Sequence, residues 1–568
     1  MDDRSHAMRS DINEVVRSPS TATSPRMSQS SKTRVAIIGA GTGGLSLAIK
    51  LKQQLGYDNF TIFEKGHDVG GTWRDNTYPG CSSDVHMVWF SLSTDSHDWP
   101  HSHGYSPDIQ AYWVGLTRKY DLYPRIRLHT KVSFATWDDN AKLYHIDLEN
   151  VLTGEKDTFD AEVVVSAIGI LEVPRYPSIP GLESFKGEMW HSARWNHEAD
   201  LRNKKVAVIG TGASATQLVP CITEDPTVQV TEFCRTPNWL LPPVRVKYSK
   251  FHRWVFRNIP LVQRFSRFLT FCQSDLLYLM VFAGYPILRR IFRKVSENYI
   301  KSNAPAEYCD QLIPTFPIGC KRVIFDTGFL DALHRPNLSL IGDGIDKFVA
   351  DGIVTKKGDK LPFDVIIFAT GFAADKFPLD LRGTSGTIQE YFDEKDGPQS
   401  YLGTSYPDFP NFYTILGPNT GTGHTSVIFT NECQADYIIQ LITPIIQRKV
   451  VTVEAKPEAT DTYNEKIQKR LSASVFTGCH SWYRVGGTGK ITNIFPGPTI
   501  LFWLWLRKVN WDDYTGLGLE GWIERRRISR RKKILTLALA VILIGSGAWF
   551  MFRSPGISKY LPRWKLGY

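Results

Sequence analysis

Two glycine-rich turns constrain this chain more than any other feature, because each joins a short apolar run to a helical pattern. The first is Gly39-Ala40-Gly41-Thr42-Gly43-Gly44, after residues 34–38 and before residues 45–55. The second is Gly210-Thr211-Gly212-Ala213-Ser214-Ala215, after residues 204–209, with Thr216 and Gln217 opening its helix. In such a turn the first glycine permits the tight bend and the second lets a pyrophosphate approach the backbone. The third lets the helix pack closely on the strand, a role that Ala215 can also fill. The helix N-terminus then stabilises the phosphate charge. Glu64 ends the apolar run after the first motif, where a carboxylate accepts hydrogen bonds from ribose hydroxyls. Arg235 and Thr236 stand at that place after the second, and a cation there suits the 2′-phosphate of NADP rather than NAD. The pair predicts FAD on the first turn and NADPH on the second, with hydride passing between them.

Short apolar runs at 35–38, 60–63, 163–167, 206–209, 228–233 and 365–369 alternate with helical patterns. That predicts an α/β chain with two doubly wound, Rossmann-like domains. The FAD domain is expected at 32–165 plus 365–520 and the NADP domain at 166–364, with a helical insertion at about 251–300. Within the insertion, 276–288 is short for a membrane span and reads as core in preference to a surface resting on a bilayer.

Charge separates the ends from the body. Residues 525–568 carry 11 Lys/Arg and no acid, whereas the other 524 residues carry 56 basic and 57 acidic groups. The body therefore has no electrostatic footprint for nucleic acid. Residues 534–552 are uncharged and mostly apolar, about 28 Å as a helix, and follow a segment in which seven of nine residues are basic. They predict a C-terminal transmembrane anchor with the body in the cytoplasm, at the endoplasmic reticulum in a eukaryote. Residues 1–31 are Ser-rich and read as a disordered leader. Eight scattered Cys without a C-x-x-C pair make neither a disulfide scaffold nor a thiol–zinc site, and a reducing compartment fits best. They also argue against a flavin disulfide reductase.

A family resemblance rests on five separated segments. Phe185-Lys186-Gly187 leading to His191, Trp195 and Asn196 resembles the long signature of class B flavoprotein monooxygenases of the Baeyer–Villiger type. Asn196 departs from its usual Pro or Asp. Gly70-Gly71-Thr72-Trp73, with Tyr78-Pro79-Gly80 and Asp84, is similar to a second signature. Ala369-Thr370-Gly371-Phe372, Gly417-Pro418-Asn419 and Ser481-Trp482-Tyr483 resemble later ones, so the likeness spans about 33–515. It implies that Arg322 is catalytic, stabilising negative charge on the oxygen-transfer species and its adduct, with Asp84 orienting it. Lys321, Arg235 and Thr236 would hold the 2′-phosphate. Gly71, Thr72, Trp73, Arg74, Asp75, Ser82, Ser83, Asp84, Val85 and Phe90 would surround FAD, with Phe90 where the family often has Tyr. His191 and Trp195 would lie at the domain junction.

The resulting expectation is oxygenation by O2 of a lipophilic, polycyclic or terpenoid ketone to an ester or lactone, as in fungal secondary metabolism. Substrate should sit at the junction near Arg322. The apolar run 501–506 reads either as packing or as a lipophilic lining. N- or S-oxygenation by the same flavin is the closest rival. A membrane-anchored NADPH reductase or oxidase, and a non-catalytic flavoprotein scaffold, are the others. The chain has no G-x-S-x-G and no H-E-x-x-H, which leaves hydrolase readings little support.

Overall fold

The computed structural model describes residues 32–283, 285–374 and 377–553, the last without the side chains of 547, 548 and 550–553. The leader expected at 1–31 lies outside the described residues. Ten strands build two sheets: β1 (Val35–Ile38), β2 (Phe60–Phe63), β3 (Ile126–Arg127), β4 (Val163–Ser166), β5 (Glu188–His191), β6 (Lys205–Ile209), β7 (Gln229–Phe233), β8 (Leu338–Ile341), β9 (Val365–Phe368) and β10 (Phe412–Thr414). The first sheet has the order β10-β4-β1-β2-β3 and the second β8-β7-β6-β9-β5. Every pairing within them is parallel. β1, β4 and β9 are buried at every residue, which is why they read as unbroken apolar runs. In each sheet the strand order reverses beside the strand that carries a glycine turn. Ligands bind outside the carboxyl ends of strands at such a point.

One boundary moves. β9 lies between β6 and β5 in the second sheet, so the division expected at 365 falls one strand early, and the chain recrosses after Phe368. Two antiparallel layers were also missing from the sequence reading. Thr130–Asp138, Leu143–Asn150 and Lys156–Ala161 form one, with Asp380–Arg382 added in parallel. Ile345–Val349, Gly352–Thr355 and Lys360–Pro362 form the other. Leu143–Asn150 alternates between buried and exposed, as in Tyr144, His145 and Ile146, and Lys156–Ala161 is largely exposed, so a search for continuous apolar runs passes over them.

The helices used below are α1 (Thr42–Leu55), α2 (Ala213–Ile222), α3 (Lys250–Asn258), α4 (Pro260–Leu277), α5 (Pro286–Asn303), α6 (Val427–Ile446), α7 (Thr499–Leu506) and α8 (Leu519–Arg553). α6 packs along α1. α3 to α5 form the insertion between β7 and β8. Its middle is not simply core: Tyr278, Val281 and Phe282 are buried, but Leu276, Leu279, Ile287 and Leu288 are exposed. α7 is divided in the same way, with Phe502 and Leu506 buried and Ile500, Trp503 and Leu504 exposed. α8 runs unbroken through the basic segment and the apolar tail. Among the described residues no single helix is long and apolar enough to cross a membrane, so the expected transmembrane span is not supported by them.

Glu232 on β7 is fully buried, and neither carboxylate oxygen has a hydrogen-bond partner. Burial raises its pKa well above the ordinary 4.5. Folding therefore favours its protonated form. The contribution to stability is complete below the unfolded pKa and is lost as pH rises through the folded one, at up to about 1.4 kcal/mol per pH unit. Glu232→Gln is expected to remove this slope, so that parent and variant diverge in urea midpoint between pH 5 and 8 in the variant's favour.

Candidate active site

Both glycine turns have the geometry their pattern predicts. Gly39 and Gly210 take φ values of +103° and +113°, which a side chain would strain. A Cβ on Gly44 would lie 2.0 Å from the Gly39 carbonyl oxygen, and one on Gly71 would lie 2.9 Å from the Gly41 Cα. Bare backbone thus meets bare backbone above the start of α1. A Cβ on Gly212 would meet nothing within 4 Å, so the start of α2 is open. Neither α1 nor α2 has a side-chain cap, which leaves first-turn amides for an anion. Ala215 is fully buried, in the packing position.

Around the first turn, the Glu64 carboxylate accepts from the Ala40 and Gly66 amides at 2.8 and 2.7 Å and from Arg74 Nη1 at 2.7 Å. That fills three of about four acceptor positions and fixes the carboxylate at the tip of β2. Arg74 also donates through Nε to Asp75 at 2.8 Å. Thr72 and Asp75 bound the short helix Thr72–Asp75, and the Trp73 ring meets Phe90 edge-on at 5.4 Å. The Val85 amide donates to Ser83 Oγ at 3.0 Å. This segment is tied to the second turn through Gln217. Its Oε1 accepts from Tyr78 OH at 2.9 Å, and its Nε2 donates to the Ser82 carbonyl at 3.1 Å.

Around the second turn, Thr211 Oγ1 donates to the Thr236 carbonyl at 3.1 Å, and Thr216 Oγ1 donates to the Gly212 carbonyl at 3.3 Å. Ala213 and Ser214 open α2. Arg235 is exposed and Lys321 half-buried, and Lys321 Nζ lies 4.9 Å from the Phe316 ring centre. Burial and the nearby Arg235 charge lower the Lys321 pKa. Two cations that repel each other, with no carboxylate between them, suit a phosphate.

Arg322 donates to Asp84 through Nε at 2.7 Å and Nη2 at 2.6 Å. Their side chains are 35 % and 29 % exposed, so the pair is partly covered and still reachable from outside. The Asp84 charge holds the guanidinium well above its ordinary pKa, against burial. Burial pushes Asp84 up, but the charge and hydrogen bonds of Arg322 outweigh it and the net shift is down. Three of the five guanidinium N–H groups remain for another anion. Tyr483 stands within electrostatic range of both groups. It is 1 % exposed, and its hydroxyl has no partner, an orphaned polar atom that a bound group can satisfy. Its segment was visible in the sequence only as a likeness, without a role.

His191 ends β5 and is fully buried, with Nδ1 accepting the Ala193 amide at 3.1 Å. Burial takes its pKa down to about 4, against an opposing pull from the Gly371 backbone. The ring is therefore neutral, between Tyr176 and Phe372. Beside it the two chain crossings between the sheets pair with each other. The Arg175 amide donates to Gly371 O at 2.9 Å and the Ala373 amide to Val173 O at 2.8 Å. Trp195 packs edge-on against Trp190 at 5.6 Å. Asn196 Oδ1 accepts the Glu198 amide at 3.1 Å, a bond an aspartate would also accept.

Cys320 and Cys479 form a disulfide, 159 residues apart in sequence, a single bridge that the reading of scattered cysteines did not anticipate. No local spacing announces such a pair; the fold brings it together. It ties the Arg322 loop to the segment that carries Tyr483. Cys320→Ser is expected to cost about 2–5 kcal/mol, read as a lower calorimetric midpoint of the full chain, with reductant acting on the parent alone.

Two dinucleotide cradles with a fixed guanidinium between them define an oxidoreductase that works with two nucleotide cofactors. Residues 32–280 match the family model described as flavin-binding monooxygenase-like. A Baeyer–Villiger monooxygenase of Pseudomonas aeruginosa is 36% identical over 493 residues, covering 86% of this chain and 92% of that protein. The FAD-binding monooxygenase ktnD of Aspergillus niger is 32% identical over 560 residues, covering 93% and 91%. The crystal structure of OTEMO in complex with FAD and NADP superposes with a TM-score of 0.75 at 25% identity, covering 85% of this chain and 99% of that one. The chain belongs to the flavin-binding monooxygenases, among members of the Baeyer–Villiger type, and is a flavin-dependent monooxygenase.

Proposed function

We propose that the chain binds FAD over β1 and α1 and NADPH over β6 and α2, and inserts one atom of O2 into a ketone. Ketone, O2, NADPH and a proton become ester, NADP+ and water. Bound there, the nicotinamide supplies hydride and the flavin activates oxygen. The chain's own residues do the rest. Asp84 anchors Arg322, whose three remaining N–H groups stabilise anionic oxygen on the species that attacks the carbonyl and on the adduct. Lys321 and Arg235 take the 2′-phosphate, and Tyr483 offers a hydroxyl beside Arg322. The single observation that carries the reading is the two-point Arg322–Asp84 pair. It favours a ketone over an amine or sulfide, because only carbonyl attack builds an oxyanion for the guanidinium to hold.

A lipophilic, polycyclic or terpenoid ketone of secondary metabolism fits the exposed Trp503 and Leu504 and the likeness to a fungal relative. The basic segment of α8, followed by exposed apolar residues from Ile534 to Ile544, supports membrane attachment with a cytoplasmic body, at the endoplasmic reticulum. Turnover of a cyclic ketone under 18O2 tests the reaction. One labelled atom in a lactone, with one NADPH oxidised per product, is the expected result. NADPH oxidation yielding only hydrogen peroxide would sink it, and so would N- or S-oxide formation from an amine or sulfide without any lactone.

A further inference from the structure

Part of the insertion packs inward through Tyr278, Val281, Phe282 and Ile300, but many of its apolar side chains face away from the body. In α4, Leu261, Phe265, Phe268, Leu269, Cys272 and Leu276 are all exposed. They recur at i, i+4, i+7, i+8, i+11 and i+15, a single stripe of a 3.6-residue helix. The buried residue of α4 is Gln263, on the opposite side, where it donates to the His97 carbonyl at 3.1 Å. α5 carries a similar outward stripe, with Ile287, Leu288, Ile291 and Val295 exposed, while Ser296 and Ile300 are buried. Leu261 and Ile287 keep 73% and 72% of their surface in solvent. α7 packs beside α4, its first amides held by Asp275 at 2.6 and 3.0 Å, and adds exposed Ile500, Trp503 and Leu504. An exposed apolar surface on this scale marks an interaction site.

Charge selects the occupant. Residues 250–303 carry ten Lys/Arg and two Asp/Glu. Of the two acids, Asp275 holds the α7 amides and Glu297 pairs with Arg293. Among the described residues, Lys250, Arg264, Arg290, Lys294 and Lys301 form no ion pair, whereas Arg253, Arg257 and Arg267 do. A second copy of the chain would set this excess of cations against itself. A bilayer with anionic headgroups meets both halves of the pattern: apolar side chains enter the interfacial layer while the cations face phosphate. We infer that α3 to α5, with α7, form a docking surface that lies in the face of an anionic membrane. The surface is separate from the tail helix and does not span the bilayer.

The inner side of the same segment reaches the site. A Cβ on Gly319 would lie 2.8 Å from Val281 Cγ1, and Phe282 stacks on Phe476 at 5.6 Å. One helical layer therefore separates the docked face from the loop that carries Arg322. A ketone dissolved in lipid enters from this side, a consequence that rests on the ketone reading, whereas the docking itself does not.

Cys272 is the exposed free thiol among the described residues, and it lies in the middle of the stripe. Full-length protein labelled there with an environment-sensitive nitrobenzoxadiazole dye is mixed with vesicles of phosphatidylcholine, with or without phosphatidylserine, carrying brominated or plain acyl chains. The expected result is a blue shift with bromine quenching on the serine-containing vesicles. Phe265→Glu combined with Ile287→Glu should abolish both while turnover of a small water-soluble ketone stays at the parental rate. Arg264→Glu combined with Lys294→Glu should abolish the dependence on phosphatidylserine, and this second variant leaves the apolar stripe intact. A label that stays in water while α8 holds the chain on vesicles would overturn the inference. So would the absence of vesicle binding, or a blue shift that grows with protein concentration without lipid. Failure of the parent to oxygenate the soluble ketone would strike the reaction proposed above and leave the fluorescence result standing.

Discussion

Arg322→Ala lowers ester formation by about 10²–10³-fold, the range seen when one donor to a developing oxyanion is removed, while NADPH is still consumed. On the proposed roles the two rates separate, because Arg322 would act on the carbonyl chemistry and Lys321 and Arg235 would hold the nucleotide. Product formed per NADPH oxidised is therefore the informative measurement, with hydrogen peroxide making up the difference. Arg322→Lys does not rescue it: an ammonium cannot reproduce the two parallel bonds from Nε and Nη2 to Asp84. Asp84→Ala should reproduce much of the loss, because it frees the guanidinium to swing and leaves a deeply placed charge without its partner. Parental product yield from Arg322→Ala would remove Arg322 from the reaction.

Replacing Arg235 and Lys321 together by Ala should raise KM for NADPH by about 10²-fold or more. Each charge-assisted contact is worth about 1.5–3 kcal/mol, and the two cations carry no competing carboxylate to take up the loss. KM for NADH should barely move, since that nucleotide lacks the phosphate. Raised salt should narrow the gap between the cofactors in the parent, because Arg235 is exposed and its attraction is screened. An equal loss for both cofactors would mean that the pair supports the fold of β7 rather than reading the phosphate.

Both cradles were legible in the sequence because their requirements are local. A bend at positive φ, a close backbone approach and a helix start all fall within six residues, so Gly39 to Gly44 and Gly210 to Ala215 could be read directly. The Arg322–Asp84 pair was not local; it was found because family likeness supplied a partner 238 residues away. The Cys320–Cys479 bridge had no such guide, and cysteine spacing pointed the other way. Tyr483 was visible as a motif, but its missing hydrogen bond exists only once the fold surrounds it. The strand at 365–368 was recognised and assigned to the wrong half, because an apolar run states that a strand is buried and not which sheet buries it. The stripe on α4 has the period of any amphipathic helix. Nothing in that period says whether it faces a core or the outside.

The paired crossing beside His191 has a mechanical consequence. A single covalent thread between two bodies lets them swivel and twist freely. Two threads joined by hydrogen bonds at Arg175 and Ala373 make a narrow ribbon, which flexes across its flat face and resists shear in its own plane. The Cys320–Cys479 bridge is a further covalent tie between the two halves, and Gln217 and Arg322 bond across to Tyr78 and Asp84, so the ribbon acts as a hinge only as far as those links yield. Reducing that bridge would leave the ribbon as the remaining covalent connection between the two sheets and widen the motion open to them.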